Sequence, residues 1–183
     1  MTTLLRFEQV ALRRGGRLLF ENLDLELGAG EALQVSGPNG SGKSSLIRLA
    51  AGLLRPQSGQ VDRARVALAD DNPALDRELP LGRALRFWGE SRESAMEALG
   101  IGRLADVPVR LLSSGQLKRA TLARVAASGA PLWLLDEPLN ALDADGAERL
   151  MELVAQHLGS GGAVLAASHQ PLDGNWSALE LTA

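Results

Sequence analysis

The stretch Gly37-Pro38-Asn39-Gly40-Ser41-Gly42-Lys43-Ser44 decides the fold of this chain. It fits the pattern G-x-x-x-x-G-K-[ST] of a phosphate-binding loop. Its glycines let backbone N–H groups wrap a phosphate, and the helix that follows such a loop directs its positive end at the anion. Lys43 is in position to reach the β- and γ-phosphates of a nucleotide, and the Ser44 hydroxyl to ligate Mg²⁺.

The surroundings of the loop favour the same prediction. Residues 32–36 are a short, mostly apolar run typical of a buried strand, and Leu46, Leu49 and Leu53 recur at helical spacing. Lys43 is also one of only two lysines in the chain, so a lysine at this position is not expected from composition alone. The alternative is a glycine-rich connecting turn with an incidental lysine.

Outward from the loop, the chain alternates between strand and helix patterns. Residues 4–36 are predicted as strands, and apolar runs at 132–135 and 163–167 are separated by a helical pattern. This alternation predicts an α/β fold with a mostly parallel sheet covered on both faces. We expect a P-loop NTPase core with an N-terminal antiparallel β region and a small helical subdomain. We expect a single domain over 1–183, with a short helical insertion at about 70–128.

Composition excludes several classes of protein. The chain has 183 residues, of which 45% are hydrophobic and 22% charged, as in one globular domain, and the absence of cysteine excludes disulfides and thiol chemistry. A net charge of −3 and the absence of tyrosine argue against nucleic acid as a partner. Because no apolar stretch reaches roughly 20 residues and the first nine residues lack a signal-peptide core, we expect neither a membrane span nor export.

Two acids follow the apolar run at 132–135. Asp136 and Glu137 are expected at the carboxyl end of a parallel strand, where such sheets bind ligands. Asp136 is a candidate for the Mg²⁺ shell, and Glu137 for polarising a water that attacks the γ-phosphate. Many strands end in solvated acids, so this interpretation depends on the phosphate loop.

A third stretch, Leu112-Ser113-Ser114-Gly115-Gln116, precedes a predicted helix. Its serines are candidate N-caps, and exposed amides at a helix N-terminus can also bind an anion. The stretch resembles the signature motif of ATP-binding-cassette (ABC) ATPases. Pro138-Leu139-Asn140-Ala141-Leu142-Asp143 is similar to the D-loop of that family, and Ser168-His169-Gln170 to its switch histidine. These elements occur in the family's order and cover nearly the whole chain.

The resemblance implies an ATPase that uses ATP and Mg²⁺, in which two copies meet head to tail around two ATP molecules. Each ATP would lie on the phosphate loop of one copy and under the signature of the other. Glu137, His169 and Lys43 would be catalytic, with His169 at the γ-phosphate and Asp143 at the interface. The implied nucleotide contacts are Gly37, Pro38, Asn39, Gly40, Ser41, Gly42, Lys43, Ser44, Ser45, Arg14, Ser113, Ser114, Gly115, Gln116 and Asp143.

The chain departs from the family pattern at two positions. Where the family has an aromatic residue that stacks on adenine, this sequence has Arg14, whose guanidinium can also stack on a base. Where the family has a Mg²⁺-sensing glutamine, the nearest substitute is Asn72, with a shorter reach. The implied Mg²⁺ ligands are therefore Ser44, Asp136 and Asn72.

The region between the phosphate loop and the signature is the family's docking surface for membrane helices. Trp88, beside Phe87, is a candidate exposed anchor in this region, and ordinary packing of the helical subdomain is the alternative.

Finer details most resemble the ATP-binding subunits of bacterial haem exporters of c-type cytochrome biogenesis. The stretches that carry this resemblance include 30–40, 85–88, 130–137 and 161–164. It implies integral membrane transporter subunits as partners and a peripheral position on the cytoplasmic face of the inner membrane. The alternatives are the ATPase of another ABC exporter, or a soluble ABC-type assembly or switch protein with little hydrolysis.

Overall fold

A five-stranded parallel sheet is the centre of the fold. The computed structural model describes residues 2–182. Its strands are β1 (Thr3–Arg14), β2 (Arg17–Gly28), β3 (Ala32–Ser36), β4 (Ser58–Arg63), β5 (Val66–Ala69), β6 (Leu132–Asp136), β7 (Ala163–Ala167) and β8 (Ser177–Glu180). Its helices are α1 (Lys43–Ala50), α2 (Leu81–Leu85), α3 (Arg92–Ala98), α4 (Ser114–Ala127) and α5 (Ala144–Gly159), with short 3-10 helices at Gly102–Leu104 and Val109–Leu111.

The strands form two sheets with different topology. The central sheet has the order β5-β6-β7-β3-β8, and every neighbouring pair in it is parallel. The second sheet has the order β2-β1-β4 and is antiparallel. Because all strands of the central sheet run the same way, their carboxyl ends lie at one edge. The phosphate loop follows β3, Asp136 ends β6 and His169 comes shortly after β7, so the topology brings three distant segments to that edge.

Alternate side chains of each central strand face different layers. Leu132 and Leu134 of β6 belong to a core that includes residues of α1 and β1. Trp133 and Leu135 belong to the other core, which is formed with α2 to α5. Helix α1 contacts β6 and β7 on one side and β4 on the other, so it lies between the two sheets. Burial on both faces explains why β6 up to Leu135 and the whole of β7 are continuous apolar runs.

The predicted α/β fold is confirmed, with its parallel sheet and N-terminal antiparallel region. Strands β4, β5 and β8 were not predicted from the sequence. The helical region is continuous with the rest of the protein, because Leu81, Leu99 and Leu122 share one core with Trp133 and Ala166 of the sheet.

The two adjacent aromatic residues of the helical region differ in exposure. Phe87 is 86% exposed. Trp88 packs against the core formed with α2 to α5, and the guanidinium of Arg124 lies 4.7 Å from its ring centre. The structure therefore favours packing for Trp88 and leaves Phe87 as the exposed aromatic residue. Within residues 2–182, no helix has both the length and the apolar character needed to cross a bilayer.

Candidate nucleotide-binding site

The loop between β3 and α1 depends on glycines in the left-handed region of backbone space. Gly37, Gly40 and Gly42 have φ values of 137°, 82° and 108°. At Gly37, a Cβ atom would lie 2.3 Å from the backbone oxygen of Leu181, so a side chain cannot fit there. The loop can follow this path because these positions are glycine.

The groups around this loop suit an anion. No side chain of residues 2–182 caps the start of α1, so the positive end of that helix is available at the loop. Lys43 is buried, and its Nζ donates hydrogen bonds to the backbone oxygens of Gly37 (2.7 Å) and Pro38 (3.1 Å). The Ser41 hydroxyl is buried and has no hydrogen-bond partner in the described part of the chain. An ammonium, an uncapped helix start and an unpartnered hydroxyl together fit the phosphates of a nucleotide.

Ser44 and Asp136 form the candidate metal position. Ser44 Oγ donates a hydrogen bond to Asp136 Oδ1 over 3.0 Å, which joins the first turn of α1 to the end of β6. Asp136 is only 8% exposed, and this burial raises the pKa of its carboxyl, while the hydrogen bond from Ser44 lowers it and the charge of Asp71 raises it further. A cation would offset the cost of keeping this carboxylate charged. A hydroxyl and a carboxylate also suit Mg²⁺, which takes few protein ligands and completes its shell with phosphates and water.

Glu137 and His169 form a pair beside this position. Oε2 of Glu137 lies 2.7 Å from Nδ1 of His169. Glu137 lines the same cavity of 320 Å³ as Lys43 and Ser44. The pair therefore brings a carboxylate and an imidazole next to the phosphate loop, an arrangement that can accept a proton from a water held there.

The β1–β2 hairpin forms another side of this cavity. Arg14 lines it, and Nη1 of Arg14 donates a hydrogen bond to Ser45 Oγ over 3.4 Å. Leu19 of β2 also lines the cavity and packs against Gly42, where a Cβ would lie 3.2 Å from Leu19 Cβ. Arg14 thus lies beside the phosphate loop, and its stacking on a base stays a prediction. Leu19 was not predicted, because no motif marks it and only the strand pairing of the hairpin brings it there.

Asn72 is not brought together with Ser44 and Asp136. Its Oδ1 accepts a hydrogen bond from the Ala74 N–H (3.0 Å), and its own N–H donates to Asp70 Oδ1 (3.0 Å). It lines a different cavity, between the segment after β5 and the start of α4. The side chain therefore stabilises a local turn, and this geometry does not support the prediction that Asn72 ligates Mg²⁺.

The first turn of α4 lines a second cavity, of 420 Å³. Ser113 Oγ accepts a hydrogen bond from the Gln116 N–H, and Gln116 Oε1 accepts one from the Ser113 N–H, which forms a capping box. Ser114 is exposed. A Cβ at Gly115 would lie 2.9 Å from the backbone oxygen of Ala141, so the loop after β6 runs close by. Among the described residues, the two cavities have no lining residue in common.

Ion pairs form one wall of the second cavity. Asp143 caps α5 by accepting a hydrogen bond from the Gly146 N–H (3.0 Å), and it pairs with Arg119. Arg119 also pairs with Asp145 over 2.8 Å. The hydrogen bond from Arg119 holds the pKa of Asp143 below its ordinary value. Asp143 therefore lies beside the signature residues of its own chain, away from the phosphate loop.

Lys118 is a site residue for which the sequence predicted no role. From α4, its Nζ donates hydrogen bonds to the backbone oxygens of Glu137 (2.8 Å) and Asp136 (3.3 Å). Burial lowers the pKa of Lys118, against the nearby charges of Asp71, Asp136, Glu137 and Asp70, which raise it. The sequence signals were that lysine is rare in this chain and that Lys118 follows directly after the signature stretch, where Lys118-Arg119 resembles the family.

Known proteins resemble this chain over most of its length. The sequence model of the ABC transporter family matches residues 20–140. The cytochrome c biogenesis ATP-binding export protein CcmA of Sphingopyxis alaskensis is 56% identical over 177 residues, covering 92% of this chain and 91% of that protein. The chain belongs to the CcmA branch of the ABC transporter family. Another CcmA protein, from Novosphingobium aromaticivorans, is 58% identical over 166 residues, covering 89% of this chain and 87% of that protein.

Solved structures share the ABC fold. An ATP-binding subunit of an ABC transporter superposes with a TM-score of 0.82 at 22% identity, covering 91% of this chain and 80% of that one. An ABC transporter ATP-binding protein from Pyrococcus furiosus gives 0.85 at 18% identity, covering 97% and 96%. These two likenesses show the fold. Membership of the ABC family implies that the chain binds a nucleotide and is an ATPase.

Proposed function

We propose that the chain binds and hydrolyses ATP as a subunit of the ABC exporter that handles haem in c-type cytochrome biogenesis. One observation carries the proposal: Lys43, Ser44, Asp136, Glu137 and His169 come together at one edge of the sheet. They include a phosphate-binding lysine, a hydroxyl and a carboxylate suited to Mg²⁺, and a candidate base, which are groups that phosphoryl transfer uses. The names of the CcmA relatives support the link to cytochrome c biogenesis and export.

The proposed reaction is attack of water on the γ-phosphorus of ATP. A bond forms between the water oxygen and phosphorus, and the bond to the β,γ-bridging oxygen breaks, leaving ADP and phosphate. Glu137 accepts the proton of the attacking water, and His169, 2.7 Å away, orients the carboxylate. Lys43 binds the charge on the phosphates. Ser44 and Asp136 would hold Mg²⁺, whose chemistry is to neutralise charge on phosphate oxygens.

A second copy of the chain is part of the proposal. The loop cavity and the signature cavity share no lining residue among those described, which supports a site that a second copy completes. In a head-to-tail dimer, Ser113, Gly115 and Gln116 of each copy would cover the nucleotide on the loop of the other. We expect a monomer or weak dimer without ATP, because the nucleotide supplies the contacts between the copies.

The remaining partners are integral membrane transporter subunits, which the chain contacts as a peripheral subunit at the cytoplasmic face of the inner membrane. The proposed docking surface is the helical region within 70–128, where Phe87 is 86% exposed. This helical region shares its core with the sheet, which supports a single nucleotide-binding domain over 1–183. In such a domain, a movement at the nucleotide site would be passed on to a docked membrane helix.

Co-purification of the full chain from detergent-solubilised membranes tests the proposed partners. We expect an integral membrane subunit that handles haem, identified by mass. Recovery of soluble partners alone would refute the exporter role.

Light scattering of the Glu137→Gln variant tests the dimer. ATP with Mg²⁺ should double the mass of the variant, and a monomer at every concentration would contradict the head-to-tail arrangement.

A second candidate function is an ATP-dependent switch with little hydrolysis. Asn72 favours it, because its side chain holds a local turn and leaves the Mg²⁺ position without the third predicted ligand. ATPase assays on the wild type and Glu137→Gln separate the two. A wild-type rate no higher than that of the variant would favour the switch.

A further inference from the structure

We propose that Lys118 is a positioning residue, which holds the backbone of Glu137 so that its carboxylate faces the phosphate loop. The inference rests on the proposed hydrolysis, since it concerns the residue that accepts the proton. Lys118 lies on α4, the helix whose first turn carries the signature, and not on any segment that contacts the loop cavity.

The contacts of Lys118 converge on the peptide units at Glu137. Nζ donates to the backbone oxygen of Glu137 over 2.8 Å and to that of Asp136 over 3.3 Å. The Glu137 oxygen also accepts from the Asn140 N–H (3.2 Å), and the Glu137 N–H donates to the oxygen of Ala167 in β7 (2.8 Å). Three elements therefore fix this one residue, and Lys118 supplies the only side chain among these contacts.

Glu137 needs this support because of its backbone conformation. Its φ of 46° lies in the left-handed region, which costs a residue with a Cβ energy and persists when the surroundings hold it. That conformation turns the side chain from the end of β6 towards the loop cavity, where Oε2 meets His169 Nδ1. Lys118 donates a hydrogen bond to the carbonyl before the Glu137 Cα, that of Asp136, and to the carbonyl after it, that of Glu137. Together these two hydrogen bonds fix the orientation of the Glu137 Cα–Cβ bond.

The geometry also makes the carboxylate depend on the position of α4. Ser113 caps this helix at the second cavity, and Lys118 follows within the next turns of the same 14-residue helix. A shift of α4 relative to β6 would move the ammonium away from the two carbonyls. Lys118 is thus the side chain through which the signature helix orients the carboxylate of its own chain.

The test compares Lys118→Met, Lys118→Arg and a control, Arg55→Met, which removes an exposed cation elsewhere. Methionine matches the lysine side chain as far as Cε and lacks its donors, whereas arginine retains donors. In Lys118→Met we expect kcat for ATP to fall roughly tenfold with KM within about twofold, because the base is misplaced and the nucleotide contacts remain. Lys118→Arg should recover at least half of the rate, and Arg55→Met should match the wild type.

A second readout requires neither ATP nor Mg²⁺. Hydrogen exchange of the nucleotide-free full chain reports the Glu137 and Asn140 amides, and in Lys118→Met their exchange should be roughly tenfold faster than in the wild type. Arginine should restore protection. Wild-type kcat and wild-type exchange in Lys118→Met would overturn the proposal, as would a rise in KM with unchanged kcat. An inactive wild type would count against the proposed hydrolysis instead, and the exchange result would still decide the role of Lys118.

Discussion

The phosphate loop and the signature cavity differ in how far their polar groups are satisfied. At the loop, the Ser41 hydroxyl lacks a partner within residues 2–182, α1 starts without a side-chain cap, and burial raises the pKa of Asp136. At the signature, Ser113 and Gln116 cap each other, and Arg119 is paired with acids. The loop is therefore built to bind a ligand by itself. The polar groups of the signature are satisfied within the chain, and we propose that they contact a ligand when a second copy brings one to them.

The largest effect on the activity of the phosphate-loop region is expected from substitution of Glu137. Glu137→Gln retains the shape of the side chain and removes the proton acceptor, so kcat should fall by roughly a hundredfold or more. The affinity for ATP, measured by calorimetry, should stay within about twofold. An equally large loss of ATP affinity would mean that Glu137 acts mainly in binding ATP and not as a proton acceptor.

The next effect concerns the loop itself. Lys43→Ala removes the buried ammonium, and the affinity for ATP should fall by about a hundredfold, as expected from losing charge-assisted hydrogen bonds. Circular dichroism would verify that the variant is folded. If Ser113→Ala weakened ATP binding to the monomer as much as Lys43→Ala does, the contrast between the two regions would be wrong.

A smaller effect, on stability, is expected from substitution of Asp136, and one part of it depends on Mg²⁺. Its pKa is raised by burial, so the folded state binds more protons than the unfolded chain, and the free energy of unfolding falls as pH rises through the interval between the two pKa values. Asp136→Asn should abolish that slope and raise Tm of the nucleotide-free protein at neutral pH. It should also remove the extra stabilisation that Mg²⁺ gives with ATP. A lower Tm for the variant would contradict the cost assigned to this carboxylate.

The smallest effect is expected at the signature. Ser113→Ala removes one half of the capping box and should lower the free energy of unfolding by about 1 kcal/mol. Thermal unfolding of the nucleotide-free chain would measure it. Ser113→Thr, which retains the hydroxyl, is the matched control and should recover most of the loss. No change in Ser113→Ala would show that the cap is not what stabilises this region.

The sequence predicted those parts of the structure that have a local pattern. The phosphate loop, the apolar runs of β3, β6 and β7, and the helix at the signature all follow from residue order. Strand β4 has one apolar side chain, Val61, and β8 is mostly exposed, so neither has a strand pattern. Both exist because a neighbouring strand pairs with them, which is a property of the folded chain.

The site was predictable to the same extent. Motifs identified Lys43, Asp136 and Glu137, but not Lys118 or Leu19, which act through a backbone contact and a hairpin. For Asn72, position in the sequence predicted a metal ligand. The local turn with Ala74 determined its side-chain orientation instead.

The close contact between Gly37 and Leu181 has a consequence for the order in which the protein is made. The carbonyl of Leu181 lies where a Gly37 side chain would be, and the Leu181 N–H donates to Ser36. The phosphate loop is synthesised early and this supporting segment late. A nascent chain can therefore contain the whole phosphate loop before the segment that supports it has been synthesised. In chains held on the ribosome by an added C-terminal linker, nucleotide binding should begin only when the linker is long enough for the segment around residue 181 to leave the exit tunnel.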